Sequence, residues 1–409
     1  RVLMGRSNYQ CIRDDADEDT TAEDCPPKKC RNKDICPYEC AKREAFVAPL
    51  AILNYDYYML ECEFIGTFAG RLLICDEADE IEDKLMNQVK VEMTRARLAP
   101  YLTWPRDDDS IESWVEWARG FEEEIRHEVA DLEERCEEEG EHCPRELVRR
   151  MKKAQALLRS VTQIVEEVNE DNWTLTVEDQ RFGRKWVLKP IWVDRYGFRY
   201  LWRYSPQVIC MSGTIMDPAY FARTVGLPNA DKQDYDYHRL PSYFPVARRP
   251  IFYHPVARLT YELMAREKPK MLTALARILR DHPDWKTLVH STSYPLAKDI
   301  MESLGPMFPD RLMTHDRDPV DKEEALIDFK AAEAPVVMVS PSMDRGVDLP
   351  YDQCRLNIVV KTPFPNYGDI QTQKRLRSKG GRQWYDMSTV STVIQMTGRG
   401  MRAPEKKKK

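Results

Sequence analysis

The stretch Leu72-Leu73-Ile74-Cys75-Asp76-Glu77-Ala78-Asp79 is an apolar run that ends by delivering three acidic residues, Asp76, Glu77 and Asp79, to one point. Such a run predicts a buried parallel strand, whose carboxyl end projects into the crevice where open α/β sheets bind ligands. Two readings of the acids stay open. In one, Asp76 holds Mg²⁺ and Glu77 orients or deprotonates an attacking water, as acids do at phosphoryl-transfer sites. In the other, they are the acidic first turn of a helix, favoured there by the helix dipole.

The chain has 409 residues, enough for two or three domains with real cores, and its 42% hydrophobic content is ordinary for a globular protein. No apolar run approaches the roughly 18 residues of a membrane span, and Arg1-Val2-Leu3-Met4-Gly5-Arg6 lacks the apolar core of a signal peptide. A cytoplasmic protein is expected, nuclear if the source is eukaryotic, with no membrane association. The net charge of -6 hides segregation: residues 14–24 and 122–141 are acidic, while 181–203 and 374–382 are basic. Local charge therefore says more about partners than the total does.

The 11 cysteines are odd in number and no export signal accompanies them, which argues against a disulfide framework. Five of them (Cys11, Cys25, Cys30, Cys36 and Cys40) fall within the first forty residues, in a segment too poor in apolar residues to fold around its own core. Thiolates suit zinc or an iron–sulfur cluster. Four and five residues intervene between Cys25, Cys30 and Cys36, and Cys11 is distant, so the spacing departs from paired zinc knuckles and favours the cluster. A loop of free thiols is the alternative.

From Arg43 the character changes. Phe46–Leu60 is apolar and aromatic and predicts a short buried strand, then a helix starting near Asn54. No G-x-x-x-x-G-K-[ST] phosphate loop occurs, and residues 1–45 offer the Asp76 strand no partners, so the chain is expected to begin partway into its first domain. After Leu85 the sequence turns helical. Leu147, Met151, Ala154, Leu158, Val161, Val165 and Val168 form a coiled-coil seam; Phe121, Ile125, Val129, Leu132 and Cys136 form a matching stripe. With Gly140–Pro144 as the break, this predicts an inserted antiparallel helical hairpin.

Between Trp173 and Tyr204, Phe182, Trp186, Trp192, Tyr196, Phe198, Tyr200, Trp202 and Tyr204 interleave with Arg181, Arg184, Lys185, Lys189, Arg195, Arg199 and Arg203. Rings that stack on bases and cations that track phosphates suit single-stranded nucleic acid; rings buried in a core with solvated basic neighbours are the competing reading. Val208–Thr214 then predicts a second strand beside the first, ending in small hydroxyl residues. Beyond a proline-rich linker (Pro241–Pro255), strands at Thr287–His290, Val336–Val339 and Leu356–Val360 alternate with helices at Leu272–Leu279, Ala297–Leu304 and Lys322–Lys330, which predicts a second parallel sheet. A last helix beginning at Thr389–Met396 carries Gln395, Arg399 and Arg402. The two arginines, three apart, share a face and could clamp phosphoryl oxygens.

In order, Asp76-Glu77-Ala78-Asp79, Ser212-Gly213-Thr214, His290-Ser291-Thr292-Ser293, Gly346-Val347-Asp348 and Gln395-x-x-Gly398-Arg399-x-x-Arg402 resemble motifs II to VI of superfamily 2 helicases. Gly5-Arg6-Ser7-Asn8-Tyr9-Gln10-Cys11 with Cys25-x₄-Cys30-x₅-Cys36-Pro37-Tyr38 resembles the iron–sulfur insertion of the XPD/DinG family, and Lys361-x-Pro363-Phe364-Pro365 is similar to a further family signature. The resemblance spans nearly the whole chain. It implies an α/β fold with two RecA-like parallel-sheet motor domains, the first incomplete, plus a cysteine-rich insertion and a helical Arch-like insertion. The implied division is residues 1–84 (motor domain 1, with the insertion at 11–40), 85–188 (the Arch-like insertion), 189–240 (return to motor domain 1) and 241–409 (motor domain 2, truncated after Arg402).

By the same resemblance Asp76 binds Mg²⁺ and Glu77 activates water. Ser212 and Thr214 link nucleotide state to DNA grip, Gly346 and Asp348 contact the nucleotide, and Gln395, Arg399 and Arg402 reach the triphosphate. Cys11, Cys25, Cys30 and Cys36 match the ligands of a [4Fe–4S] cluster. The implied activity is ATP-dependent 5′ to 3′ unwinding on single-stranded and forked DNA by a monomer, with this chain alone hydrolysing ATP poorly. A cluster-containing DNA-binding module with a degenerate motor is the competing expectation, and a nuclease a weaker third.

Overall fold

A computed structural model describes residues 1–399 except 14–15, 26–29, 141–142, 181–182, 233 and 243. The chain divides into two compact units: Arg1–Tyr237 with Tyr367–Arg375, and His238–Asn366 with Leu376–Lys409.

The first unit opens with the cysteine segment, helix α1 (Pro37–Val47) and helix α2 (Tyr55–Phe64). Asn54 caps α2 as expected, its side chain accepting from the Tyr57 amide at 2.7 Å. The strand expected at Phe46 does not form there: Phe46 and Val47 end α1 instead, at 45% and 77% exposure, and the stretch pairs only further on, where Ile52 makes a single parallel bridge with Val2. Strand β1 (Leu73–Cys75) follows, then α3 (Ile81–Val89), β2 (Val91–Thr94) and the short α4 (Arg95–Leu98). Helices α5 (Ile111–Glu139) and α6 (Arg145–Glu167) make the expected antiparallel hairpin.

The α5 stripe from Phe121 to Cys136 is buried throughout. On α6 the fully buried positions are Val148, Met151, Ala154, Leu157, Val161 and Ile164, with Leu147, Leu158 and Val165 only flanking them. The face is thus rotated from the expected seam, a straight helix drifting away from a strict seven-residue repeat. The expected helical insertion also contains a sheet. Strands β3 (Trp173–Gln180) and β4 (Gly183–Pro190) form an antiparallel ladder that β2 extends, in the order β2-β4-β3. Their Thr, Val and Trp content favours this half-buried pleat. Helix α7 (Asp194–Tyr200), strand β5 (Val208–Cys210) and α8 (Pro218–Thr224) complete the run.

Most of the aromatic stretch is core. Trp173, Trp186, Tyr196, Tyr200 and Trp202 are at most 5% exposed, and of the described rings Phe198 alone exceeds half exposure. Trp104 meets Trp114 and Trp186 edge-on at 5.2 and 4.8 Å, with the Arg95 guanidinium 3.9 Å from its ring centre. Base stacking is therefore not the work of Trp173, Trp186, Tyr196, Tyr200 or Trp202; Arg181 and Phe182 lie outside the described residues.

The second unit is a four-stranded parallel sheet in the order β7-β8-β6-β9, built from β6 (Thr287–His290), β7 (Leu312–Met313), β8 (Val337–Ser340) and β9 (Leu356–Val359). Val289, Val337 and Val339 pack on α9 (Met264–Asp281) and α10 (Tyr294–Leu304), while Leu288 and Met338 face Phe329 of α11 (Pro319–Ala331). Both faces are covered, which is why these strands read as continuous apolar runs. Helix α12 (Ile370–Arg377) and helix α13 (Gly381–Thr397) follow. No helix among the described residues is long and apolar enough to cross a membrane.

Residues 367–375 were expected with 241–409 but belong to the first unit. Arg375, 4% exposed, pairs with Glu82 at 2.5 Å, donates to the Ile191 carbonyl at 2.5 Å and lies 4.7 Å from the Trp192 ring centre. Asp369 pairs with Lys189 at 2.9 Å, and Gln371 donates to the Pro190 carbonyl at 2.5 Å. Removing one partner of a buried ion pair strands the other charge, at about 3–5 kcal/mol. Arg375→Ala should therefore lower the stability of the first unit by about 3 kcal/mol in urea titrations, and Glu82→Gln in the same chain should recover part of the loss. A change under about 0.5 kcal/mol, the usual range for a surface position, would show the bridge to be peripheral.

Candidate functional site

Strands β1 and β5 pair in parallel with Cys75 opposite Cys210, and main-chain bonds carry the pairing one step past the strands: Met211 N donates to Cys75 O at 2.8 Å and Ala78 N to Met211 O at 2.9 Å. This brings the acidic turn beside the hydroxyl turn. The Ser212 hydroxyl donates to Asp79 Oδ1 at 2.5 Å, lies 3.1 Å from Thr214 Oγ1 and accepts from the Thr214 amide at 3.0 Å. Asp76 and Glu77 stand exposed at the strand end, whereas Thr214 is buried. Glu77 adopts a left-handed backbone (φ 47°), uncommon for a residue with a side chain, and its amide donates to Asp76 Oδ1 at 3.0 Å. The strands are less buried than their apolar run predicts: Ile74 and Ile209 are each 46% exposed on one face, while Cys75 packs into the core on the other.

One neighbour of this turn had no local signal. The Tyr55 hydroxyl donates to the Asp76 carbonyl at 2.8 Å. Tyr55 opens helix α2, and nothing in that stretch ties it to a turn twenty-one residues on.

In the second unit, Gln395 and Arg399 come together with the Gly346–Asp348 loop. Arg399, 2% exposed, donates through Nη2 to Gln395 Oε1 at 2.6 Å, through Nε to the Gln395 carbonyl at 2.8 Å and through Nη1 to the Val347 carbonyl at 3.3 Å. The Leu349 amide donates back to the Arg399 carbonyl at 3.3 Å. Val347 and Leu349 are buried while Gly346 and Asp348 are exposed, and Gly346 has the positive φ (69°) that glycine adopts without strain. Arg399 here braces the loop, a role its helical spacing did not announce. Arg402 lies outside the described residues.

His290, at the end of β6, is 1% exposed, and neither ring nitrogen makes a well-formed hydrogen bond among the described residues. Burial pushes its pKa from 6.5 down to about 4; the Arg399 charge adds to the shift, while the Asp344 charge and the nearby Met396 backbone and Asn357 side chain oppose it.

The cysteine segment packs on α6. Arg145 donates to Asp17 at 3.0 Å, Arg149 to Asp24 at 2.7 Å, and Lys152 to the Glu23 carbonyl. Burial raises the pKa of Asp24, but the hydrogen bond from Arg149, the Thr21 amide and the Arg145 charge outweigh it and hold the carboxyl low. Cys11 Sγ lies 3.8 Å from Cys25 Sγ. Burial, then Cys11, Cys30 and Cys36, push the Cys25 thiol up to about 12. Cys40 turns elsewhere, donating to the Asp34 carbonyl at 3.3 Å. Among the described residues no three His, Cys, Asp or Glu side chains meet at metal-ligand distances.

His290 gives a pH dependence. Unfolded, the ring binds a proton below its ordinary 6.5; folded, it refuses one until about 4. Stability is therefore full above 6.5 and falls as pH drops toward 4, by about 2–4 kcal/mol. Thermal melts over that range should show a shallower decline for His290→Leu than for the wild-type chain, and parallel curves would remove His290 from this role.

Residues 275–407 match the helicase C-terminal domain family. No curated protein matches the chain. Among solved structures, an XPD helicase is 12% identical with a TM-score of 0.55, the match covering 98% of this chain and 80% of that one. An apo form of XPD is 14% identical with a TM-score of 0.48, covering 89% and 77%. Residues 275–407 thus match a helicase C-terminal domain, and the chain as a whole has an α/β fold similar to that of the XPD helicase.

Proposed function

We propose that this chain is the larger part of an ATP-dependent DNA helicase that couples hydrolysis to 5′ to 3′ movement on single-stranded DNA and to unwinding of forks. The observation that supports it most is the Ser212–Asp79 hydrogen bond at 2.5 Å, which ties the acidic turn of β1 directly to the hydroxyl turn of β5. A change in charge at the acids is thereby felt at Ser212 and Thr214 without any long path.

In this reading Asp76 holds Mg²⁺, which neutralises charge on the phosphates, and exposed Glu77 takes the proton of the attacking water. Asp79 anchors Ser212. Gly346 and Asp348 contact the nucleotide, Gln395 and Arg399 hold that loop in place, and Arg402 supplies positive charge to the phosphoryl oxygens. Directed movement requires that DNA affinity differ between nucleotide states, since a ligand shifts only equilibria whose states it binds unequally.

Cys11, Cys25, Cys30 and Cys36 would hold a [4Fe–4S] cluster through four thiolates, the donor set such clusters take, and Cys11 and Cys25 lie 3.8 Å apart. The cluster would staple a segment that has little core of its own.

Two measurements test this. Anaerobically purified protein should contain about four iron and four acid-labile sulfide per chain, lost on Cys36→Ser; zinc alone would remove the cluster. In the helicase extended to include a phosphate-binding lysine, Glu77→Gln should lower DNA-stimulated ATP hydrolysis by about 10²-fold or more and leave single-stranded DNA binding within twofold. Undiminished turnover would take Glu77 out of the mechanism. Tight DNA binding with no turnover in the wild type would support a binding module with a degenerate motor.

A further inference from the structure

Cys75 and Cys210 are register partners on adjacent parallel strands, so their side chains leave the pair on the same face. Neither has a role in the nucleotide chemistry above. Leu73, Cys75, Val208 and Cys210 share the inner face of the strand pair, since the alternate residues Ile74 and Ile209 are on the exposed one. Neighbouring strands run about 4.8 Å apart, inside the roughly 4.4–6.8 Å Cα separation that a disulfide spans. Each strand is only three residues long, so a slight shear suffices to bring the sulfurs to bonding distance.

We propose that Cys75 and Cys210 form a reversible oxidation site, in which a peroxide converts the thiol pair to a disulfide directly beneath Asp76 and Ser212. One of the two sulfurs, as its thiolate, attacks hydrogen peroxide; the O–O bond breaks, the leaving hydroxide takes up the thiol's proton as water, and a sulfenic acid forms. The other sulfur then displaces the sulfenic oxygen as a second water and closes the S–S bond. Two thiols lose two hydrogens and two electrons, and one peroxide becomes two waters. The product cross-links the strands that carry Asp76–Asp79 and Ser212–Thr214.

Trypsin makes the site readable, because the peptides Leu72–Lys84 and Tyr204–Arg223 each contain one cysteine. The native chain is treated with hydrogen peroxide, its remaining thiols are blocked with N-ethylmaleimide in denaturant, and it is digested without reductant for mass spectrometry. The expected result is these two peptides joined, the link lost with dithiothreitol and absent in Cys210→Ser. Linkage should also form several-fold faster in the native chain than in urea. Recovery of both peptides blocked by maleimide, or as separate sulfinates and sulfonates, overturns the proposal, as does a link that forms only in urea. The nearby Cys11–Cys25 pair gives different peptides and is not mistaken for it. The outcome does not depend on whether the chain hydrolyses ATP.

Discussion

The parallel pairing of β1 with β5 is the constraint on which the meeting of the first unit's acidic and hydroxyl turns depends. Three residues of each strand are in register, and the ladder continues through Met211 to Ala78. Because that continuation fixes where both chains leave the sheet, Asp79 and Ser212 meet without any further device. The Tyr55 hydroxyl on the Asp76 carbonyl holds the turn from a third side. Everything assigned to this turn, including the left-handed Glu77, follows from where a short ladder ends.

The second unit solves a similar problem differently. Its sheet is covered on both faces, and its Gly346–Asp348 loop hangs between a buried valine and a buried leucine, with Arg399 as the brace. A guanidinium offers five donors in a fixed plane, so one side chain holds both Gln395 and the Val347 carbonyl. His290 beside it is kept neutral by burial, which avoids placing a second cation against Arg399.

What the sequence made legible was periodic or terminal. The α5 stripe, the parallel strands of the second unit, the Asn54 cap and the adjacency of the Asp76 and Ser212 strands are all written in short-range patterns. What it did not show depended on distance along the chain. The rings of Trp173–Tyr204 look alike whether they stack on bases or on each other, and only the packing around Trp186 and Trp104 decides. Phe46 and Val47 carry strand-like composition but lie at the end of a helix. The candidate site residues were assigned by their order along the chain; that Arg399 is buried and bonded to a loop fifty residues earlier could not be read that way, because spacing sets a helix face and not what that face meets.

The Arg375–Glu82 bridge joins residues 293 positions apart and draws 367–375 into a unit whose other residues end at Tyr237. On the ribosome this unit stays incomplete while more than a hundred further residues are made, on the order of ten seconds at typical elongation rates of about 5–20 residues per second. During that interval Glu82 has no Arg375 to meet and the Pro190–Trp192 surface is uncovered. The second unit's sheet strands all emerge before the segment that finishes the first. The order of synthesis is therefore not the order of completion: the first unit waits for residues 367–375 and the second for the residues after Leu376 that carry Arg399, so neither is finished until the last part of the chain is made.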